Sequence, residues 1–243
     1  ATNNDRYRSE IQYGYTPQLM RNSLHLNQGL DDAGTPVFSE IAQLSGVAAT
    51  DWSWSPLFAD LDNDGWKDLV ITNGYPRDIT NRDFINYRAQ DLMQEHSSES
   101  LAKKRLAALQ KLDGALLPNF IFQNQHNLRF RDVSADWGFS QSAYSNGAAY
   151  ADLDNDGDLD LVIVNTGKPA FIYRNNADSL EQNHYLAISF AGPKGNIDGF
   201  GTKISAYADS LQLFQEFYPV HGYQSSVEQK IHLGLGKRNR LDS

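Results

Sequence analysis

The sequence predicts a mainly β fold in which a duplicated unit carries a helical insertion and is followed by a second, small all-β domain. Three observations predict it. Short apolar runs, Leu69-Val-Ile-Thr72 and Leu161-Val-Ile-Val164, are bounded by Asp, Asn and Gly, as strands between turns are. A shift of 92 residues superimposes 38–73 on 130–165 with 15 identities in 36 positions. From about Asn183 onward the repeat gives way to alternating runs separated by Gly-rich turns.

Each copy reads as a strand beginning near Phe38 or Phe130, an irregular link, a strand (Ser55–Ala59, Gly147–Ala151), an acidic hairpin loop, the apolar strand, and a final strand (Asn119–Asn124, Ala170–Asn175). Leu24–Asn27 resembles that final strand and belongs to a preceding copy that is otherwise absent. The repeat region is drawn as 1–182, with copies at about 36–74 plus 119–125 and at 128–176. In the second copy Thr166-Gly-Lys-Pro169 joins the last two strands, whereas the first copy carries an insertion there, 76–118. Its apolar residues follow helical faces: Phe84, Ile85, Ala89, Leu92 and Met93, then Leu101, Leu106, Leu109 and Leu112. Thr80 or Asp83 caps the first helix, and Gly114 and Pro118 end the second. A helical hairpin packed over the repeat edge is the expectation, with a partner-binding arm as the functional alternative. Lys103-Lys104-Arg105 is read as a solvated helix face. In 183–243, Tyr185–Phe190, Thr202–Tyr207, Leu211–Tyr218 and Lys230–Leu235 are the expected strands.

Charge locates the chemistry. The net charge is −9, and two loops, Asp60-Leu-Asp-Asn-Asp-Gly-Trp-Lys-Asp68 and Asp152-Leu-Asp-Asn-Asp-Gly-Asp-Leu-Asp160, hold nine Asp between them. Carboxylates so crowded repel one another unless a cation sits among them. Asp60, Asp62, Asp64 and Asp68, and Asp152, Asp154, Asp156 and Asp160, fall at positions 1, 3, 5 and 9, with Gly at position 6. That turn lets alternate side chains converge, while Trp66 and Asp158 at position 7 offer a backbone carbonyl. Oxygen donors of this kind suit Ca2+ before Mg2+, and neither loop holds the His or Cys that zinc or copper prefers. Two Ca2+ sites are therefore expected. Position 12 is Ile71 or Ile163, which disfavours an EF-hand or a dockerin-type loop, and the run that follows each loop is a strand. A merely acidic solvated turn is the weaker reading, because the pattern occurs twice in one register.

Other classes find little support. A pI near 5.0 and the lack of a basic patch argue against nucleic acid. No apolar stretch approaches the ~20 residues of a membrane helix. The absence of Cys excludes disulfides, thiolate metal sites and Cys nucleophiles. His25, His96, His126, His184, His221 and His232 show no metal-ligand spacing, and no Gly-x-Ser-x-Gly or His-Glu-x-x-His occurs. Gly236-Lys237 lacks the rest of a phosphate loop. No enzyme is predicted. Trp52, Trp54 and Tyr75 form either a sugar-stacking platform or, as the alignment of Trp52 with Tyr144 favours, packing between repeats.

The two acidic hairpins, each preceded by Phe-Ala or Tyr-Ala and followed by Leu-Val-Ile, resemble FG-GAP/VCBS repeats. The stretch from Asn183-His-Tyr-Leu-Ala-Ile188 through Asn196-Ile-Asp-Gly-Phe-Gly201 to His232-Leu-Gly-Leu-Gly236 resembles the ASPIC/UnbV domain, with Gly201-Thr202 where the family usually has Gly-Ala. Chains with both parts are cartilage acidic protein-like or of a bacterial surface type. The resemblance implies a partial β-propeller of integrin-type calcium-hairpin blades. Four to eight blades usually close a propeller, so the remaining blades are expected from the same longer chain or a partner subunit, and the last domain is expected to run on into another strand. It implies a calcium-binding extracellular or cell-surface module acting in adhesion, ligand binding or protein–protein interaction, its partner a protein or carbohydrate. The alternatives are a component of a larger outer-membrane or secreted assembly and a propeller-based carbohydrate-active enzyme. The absence of any Asn-x-Ser/Thr fits a bacterial outer surface.

Overall fold

The computed structural model describes residues 4–16, 21–78, 103, 106, 107 and 109–243. The chain divides into two compact units, Ala1–Thr50 and Asp51–Ser243. The first holds helix α1 (Asn4–Gln12), strands β1 (His25–Leu30) and β2 (Pro36–Glu40), and one helical turn, α2 (Ala42–Ser45). That turn lies in the link expected to be irregular.

The second unit carries the repeats. Strands β3 (Pro56–Ala59), β4 (Asp68–Ile71), β5 (Leu117–Pro118), β6 (Phe120–Asn124), β7 (Phe130–Asp132), β8 (Ser142–Ala143), β9 (Ser145–Ala151), β10 (Asp160–Asn165) and β11 (Phe171–Tyr173) lead into one helical turn, α3 (Ala177–Leu180). One antiparallel sheet has the order β3-β4-β6-β7 and another β11-β10-β9, while β5 pairs with β8. β4 is buried along its whole length because β3 and β6 flank it, so an unbroken apolar run is what this position asks of the sequence.

The sheets run out of phase with the sequence repeat. β7 opens the second copy, yet it pairs with β6 of the first, placing Asn124 opposite Phe130. In the other unit, β1 meets β2 in the same register, Asn27 opposite Phe38, as expected of a final strand from a preceding copy.

Leu57, Val70, Ile121, Ile163 and Val133 are almost wholly buried in one cluster fed by both sheets, each such side chain worth about 1.5–3 kcal/mol. The fold is mainly β, but its sheets are small and separate, and among the described residues they close no propeller ring. Closure needs more four-stranded sheets than these residues supply.

Most of the expected insertion, 76–118, lies outside the described residues. Lys103, Leu106, Ala107, Leu109 and Gln110 are helical. Its base is closed by two bonds: Tyr75 N–H donates to Ala115 O (3.1 Å) and Ala115 N–H to Tyr75 O (2.9 Å).

Beyond 183, β12 (His184–Ile188) pairs with β15 (Ile231–Gly236), and β13 (Lys203–Ala208) with β14 (Leu211–Glu216). Ala206, Phe217, Ile231 and Leu233 form their own apolar cluster. These strands nevertheless belong to the same compact unit as the repeats. Val227 packs against the repeat core, and Tyr223 N–H donates to Ser55 Oγ (3.1 Å).

Candidate metal centre

Each acidic loop is the tight connection of a hairpin, β3 to β4 and β9 to β10, and the two turns share one backbone. Positive φ falls at position 4, 59° at Asn63 and 60° at Asn155, and at position 6, 97° at Gly65 and 95° at Gly157. Glycine suits the latter because side chains resist that region, while Asn tolerates it at position 4. The Asp at position 1 ties down each turn. Asp60 accepts from the N–H groups of Asp64 (3.1 Å) and Gly65 (2.9 Å); Asp152 accepts from Asp156 (3.1 Å) and Gly157 (3.2 Å).

This turn brings positions 1, 3 and 5 together. Asp60, Asp62 and Asp64 each offer an oxygen within 4.8 Å of the others, and so do Asp152, Asp154 and Asp156. Position 9 stands apart from these groups. Asp68 accepts from Leu61 N–H (3.2 Å) and Asn124 N–H (2.9 Å), and Asp160 from Leu153 N–H (3.1 Å) and Asn175 N–H (2.7 Å). Its carboxylate locks the hairpin to the neighbouring strand. At position 7, Trp66 is exposed and stacks on His126 (centroids 5.1 Å). The Asp158 side chain, buried, turns outward from its own loop to accept from Asn63 Nδ2 (2.9 Å) and Asp178 N–H (2.5 Å).

The electrostatics differ between copies. In the first loop burial, followed by Asp64 and Asp62, pushes Asp60 up to about 8. Burial and then Asp62 push Asp68 up to about 8, and burial raises Asp62 as well. At these values Asp60 and Asp68 stay mostly protonated at neutral pH unless a cation is supplied. In the second loop Arg174 bonds Asp154 (2.8 Å) and Asp156 (3.2 Å). Asp156 is held low: desolvation is outweighed by the Asp158 N–H and the Arg174 guanidinium. The first copy has Gln123 in that place, donating to Asp62 Oδ2 (2.9 Å), and His126 Nε2 contacts Asp64 Oδ2 (2.6 Å).

Sequence reasoning missed these neighbours. Gln123 and Arg174 were findable, since each precedes the Asn that ends its copy's final strand. Asp178 stands with Asp156 and Asp158 in a third acidic group, and nothing in its local sequence announces it. The aromatic residues weighed as a sugar platform pack on one another: Trp52 lies 5.8 Å from Trp54 and 5.0 Å from Tyr75, and Trp54 lies 5.4 Å from Tyr223, all tilted.

The C-terminal strands lie directly on the loops. A Cβ added at Gly234 would come within 2.1 Å of Asp60 Oδ2 and 2.6 Å of the Asn63 backbone; one at Gly157 would strike the Tyr185 ring at 1.9 Å. Gly236 N–H donates to Asn63 O (2.8 Å), Asn183 Nδ2 to Asp62 O (2.7 Å), and His232 Nε2 to Asn63 Oδ1 (2.5 Å). Burial drives His232 down to about 4, so its ring is neutral.

Residues 192–243 match the family described as ASPIC and UnbV. The ASPIC/UnbV match begins nine residues after the boundary expected from composition, and it includes the strand that covers Asp60. Cartilage acidic protein 1 of Mus musculus is 30% identical over 119 residues, 47% of this chain and 18% of that protein. The chain thus spans less than a fifth of that relative's length. No helix among the described residues is long and apolar enough to cross a membrane.

Proposed function

We propose that this chain is a calcium-binding module of the FG-GAP/VCBS type, part of a β-propeller, in which the metal is structural. The observation that carries this reading is the pairing of two loops with one backbone conformation, each converging three carboxylates. The donor set fits a hard cation: all side-chain oxygens, with buried carboxylates in the first loop that favour the protonated state when nothing positive is near.

Asp60, Asp62 and Asp64 would hold one ion and Asp152, Asp154 and Asp156 the other, with the carbonyls of Trp66 and Asp158 as further donors. Bound Ca2+ supplies the positive charge that lets these carboxylates ionise while buried. Asp68 and Asp160 at position 9 would complete the two donor sets, and they also fix each loop to its sheet through the N–H groups they accept from. Weak sites of this type fill at extracellular calcium concentrations, which favours a surface or secreted setting and a role in adhesion or binding of a protein or carbohydrate. Further blades, from a longer chain or a partner subunit, would complete the ring.

A thermal melt with calcium and then with EDTA tests the metal reading. We expect the midpoint to rise with Ca2+ by several degrees, since a ligand at 100 times its Kd adds about 2.7 kcal/mol. EDTA should reverse the rise. An unchanged midpoint together with no detectable Ca2+ binding would sink it.

A further inference from the structure

The two loops touch, and the contact runs through residues next in sequence to the clustered carboxylates. Asn63 stands between Asp62 and Asp64. Its side chain leaves its own loop and donates to Gly157 O (3.2 Å) and Asp158 Oδ1 (2.9 Å) in the other. Gly157 in turn stands beside Asp156. Asn63 is buried, while its counterpart Asn155 is exposed, so the bridge is a property of this interface and not of the loop type. A second tie runs the other way. Asn175, whose N–H holds Asp160 of the second loop, donates through Nδ2 to Leu61 O of the first (2.7 Å).

The C-terminal strands close the circuit. His232 Nε2–H donates to Asn63 Oδ1 (2.5 Å). The His232 ring stacks on Tyr185 (centroids 5.3 Å, 9° between planes), and the Tyr185 ring lies against Gly157. Asn63, His232, Tyr185 and Gly157 thus form a ring of contacts that joins both turns to the ASPIC/UnbV-matching segment. Every member of the ring is held from two sides.

We infer that Asn63, seated by His232, couples the two loops, so that filling either one with a divalent cation strengthens binding at the other. The inference rests on the calcium reading above. Metal binding orders a turn, and a turn already ordered by its neighbour has less freedom left to lose when its own ion arrives. Asn63 is a positioning residue here: it orients Gly157 and Asp158 and does not reach for the ion. The C-terminal segment acquires a role as well, as the clasp that keeps the Asn63 amide aimed across the interface.

The test is Ca2+ titration of the full chain against a chromophoric chelator, which reads affinity and Hill coefficient together. The wild type should bind two ions with a Hill coefficient above 1. Asp154→Ala, on an exposed carboxylate, should silence the second loop and weaken the first by about 5- to 150-fold, the usual range of coupling between sites. Asn63→Gly keeps the positive φ and removes the amide; it should still bind two ions, with a Hill coefficient no greater than 1. Adding Asp154→Ala to Asn63→Gly should then leave the first loop's affinity where Asn63→Gly put it. Two wild-type ions bound with a Hill coefficient no greater than 1, and a first loop indifferent to Asp154→Ala, would overturn the coupling and leave the metal reading standing. No Ca2+ bound by the wild type would overturn both. Should Asn63→Gly fail to fold by circular dichroism, the wild-type Hill coefficient and the Asp154→Ala arm decide alone.

Discussion

Arg174 and Gln123 occupy equivalent places in the two copies, and they make two nearly identical loops unequal. Gln123 gives Asp62 a neutral donor, whereas Arg174 puts a fixed positive charge on Asp154 and Asp156. An incoming cation at the second loop therefore has a competitor that the first lacks. Replacing Arg174→Gln should tighten Ca2+ at the second loop roughly two- to fivefold, within the about 0–1 kcal/mol that an exposed ion pair carries. Isothermal titration on an Asp64→Ala background isolates that site, and unchanged or weaker binding would count against the competition. At this scale the Asp residues at positions 1, 3 and 5 were legible because a nine-residue turn is local, so spacing alone dictates which side chains converge. The hydrogen bonds that Asp68 and Asp160 accept were not. Their partners, Asn124 and Asn175, lie 56 and 15 residues away, and which N–H groups claim a carboxylate depends on strand pairing that spacing does not encode.

At the scale of the hairpin, the β3–β4 loop carries a pH dependence of definite sign. Asp60 and Asp68 move from an ordinary 3.8 up to about 8 when the metal-free chain folds, burial being the main cause. Between these values the folded state binds more protons than the unfolded one, so the contribution of these two groups to metal-free stability is full below about pH 4 and is lost as pH rises through 8. Calcium should reverse that loss. We expect the rise in melting midpoint on adding Ca2+ to be larger at pH 7.5 than at pH 5, measured in matched buffers. An equal rise at both would mean that these carboxylates do not gain their charge from the ion. The strands themselves were readable. Leu69-Val-Ile and Leu161-Val-Ile announce β4 and β10 by composition, and Asn and Gly mark their ends. The turn α2 was missed because Ala42–Ser45 is too short for a period of 3.6 to declare itself. Sheet phase was unreadable for a different reason: a repeat is cyclic, and the same identities appear wherever the cut between copies is placed.

For the whole molecule, the division expected at 182/183 separates two patterns of sequence and falls inside one compact unit, Asp51–Ser243. The C-terminal strands have their own apolar cluster, yet they share one compact unit with the repeats, and Gly234 and Gly236 press β15 onto the first loop. All four Trp residues lie in the repeats, whereas β13 and β14 lie outside them. Urea unfolding followed by Trp fluorescence and by hydrogen exchange of the β13–β14 hairpin should therefore give coincident midpoints, as a single cooperative unit does. Midpoints that separate would show the C-terminal strands unfolding on their own. Composition reports what each segment resembles, while cohesion depends on glycines that let two backbones meet. The offset between repeat and sheet has a practical consequence for anyone dividing such a chain. Cutting between β6 and β7, where the sequence invites it, strips the first sheet of its outermost strand and bares the hydrogen-bonding edge of β6. Bare edges recruit other chains, so a fragment trimmed at the repeat boundary is primed to aggregate, whereas one trimmed beyond Asp132 keeps β6 covered and ends on its native, three-residue edge strand.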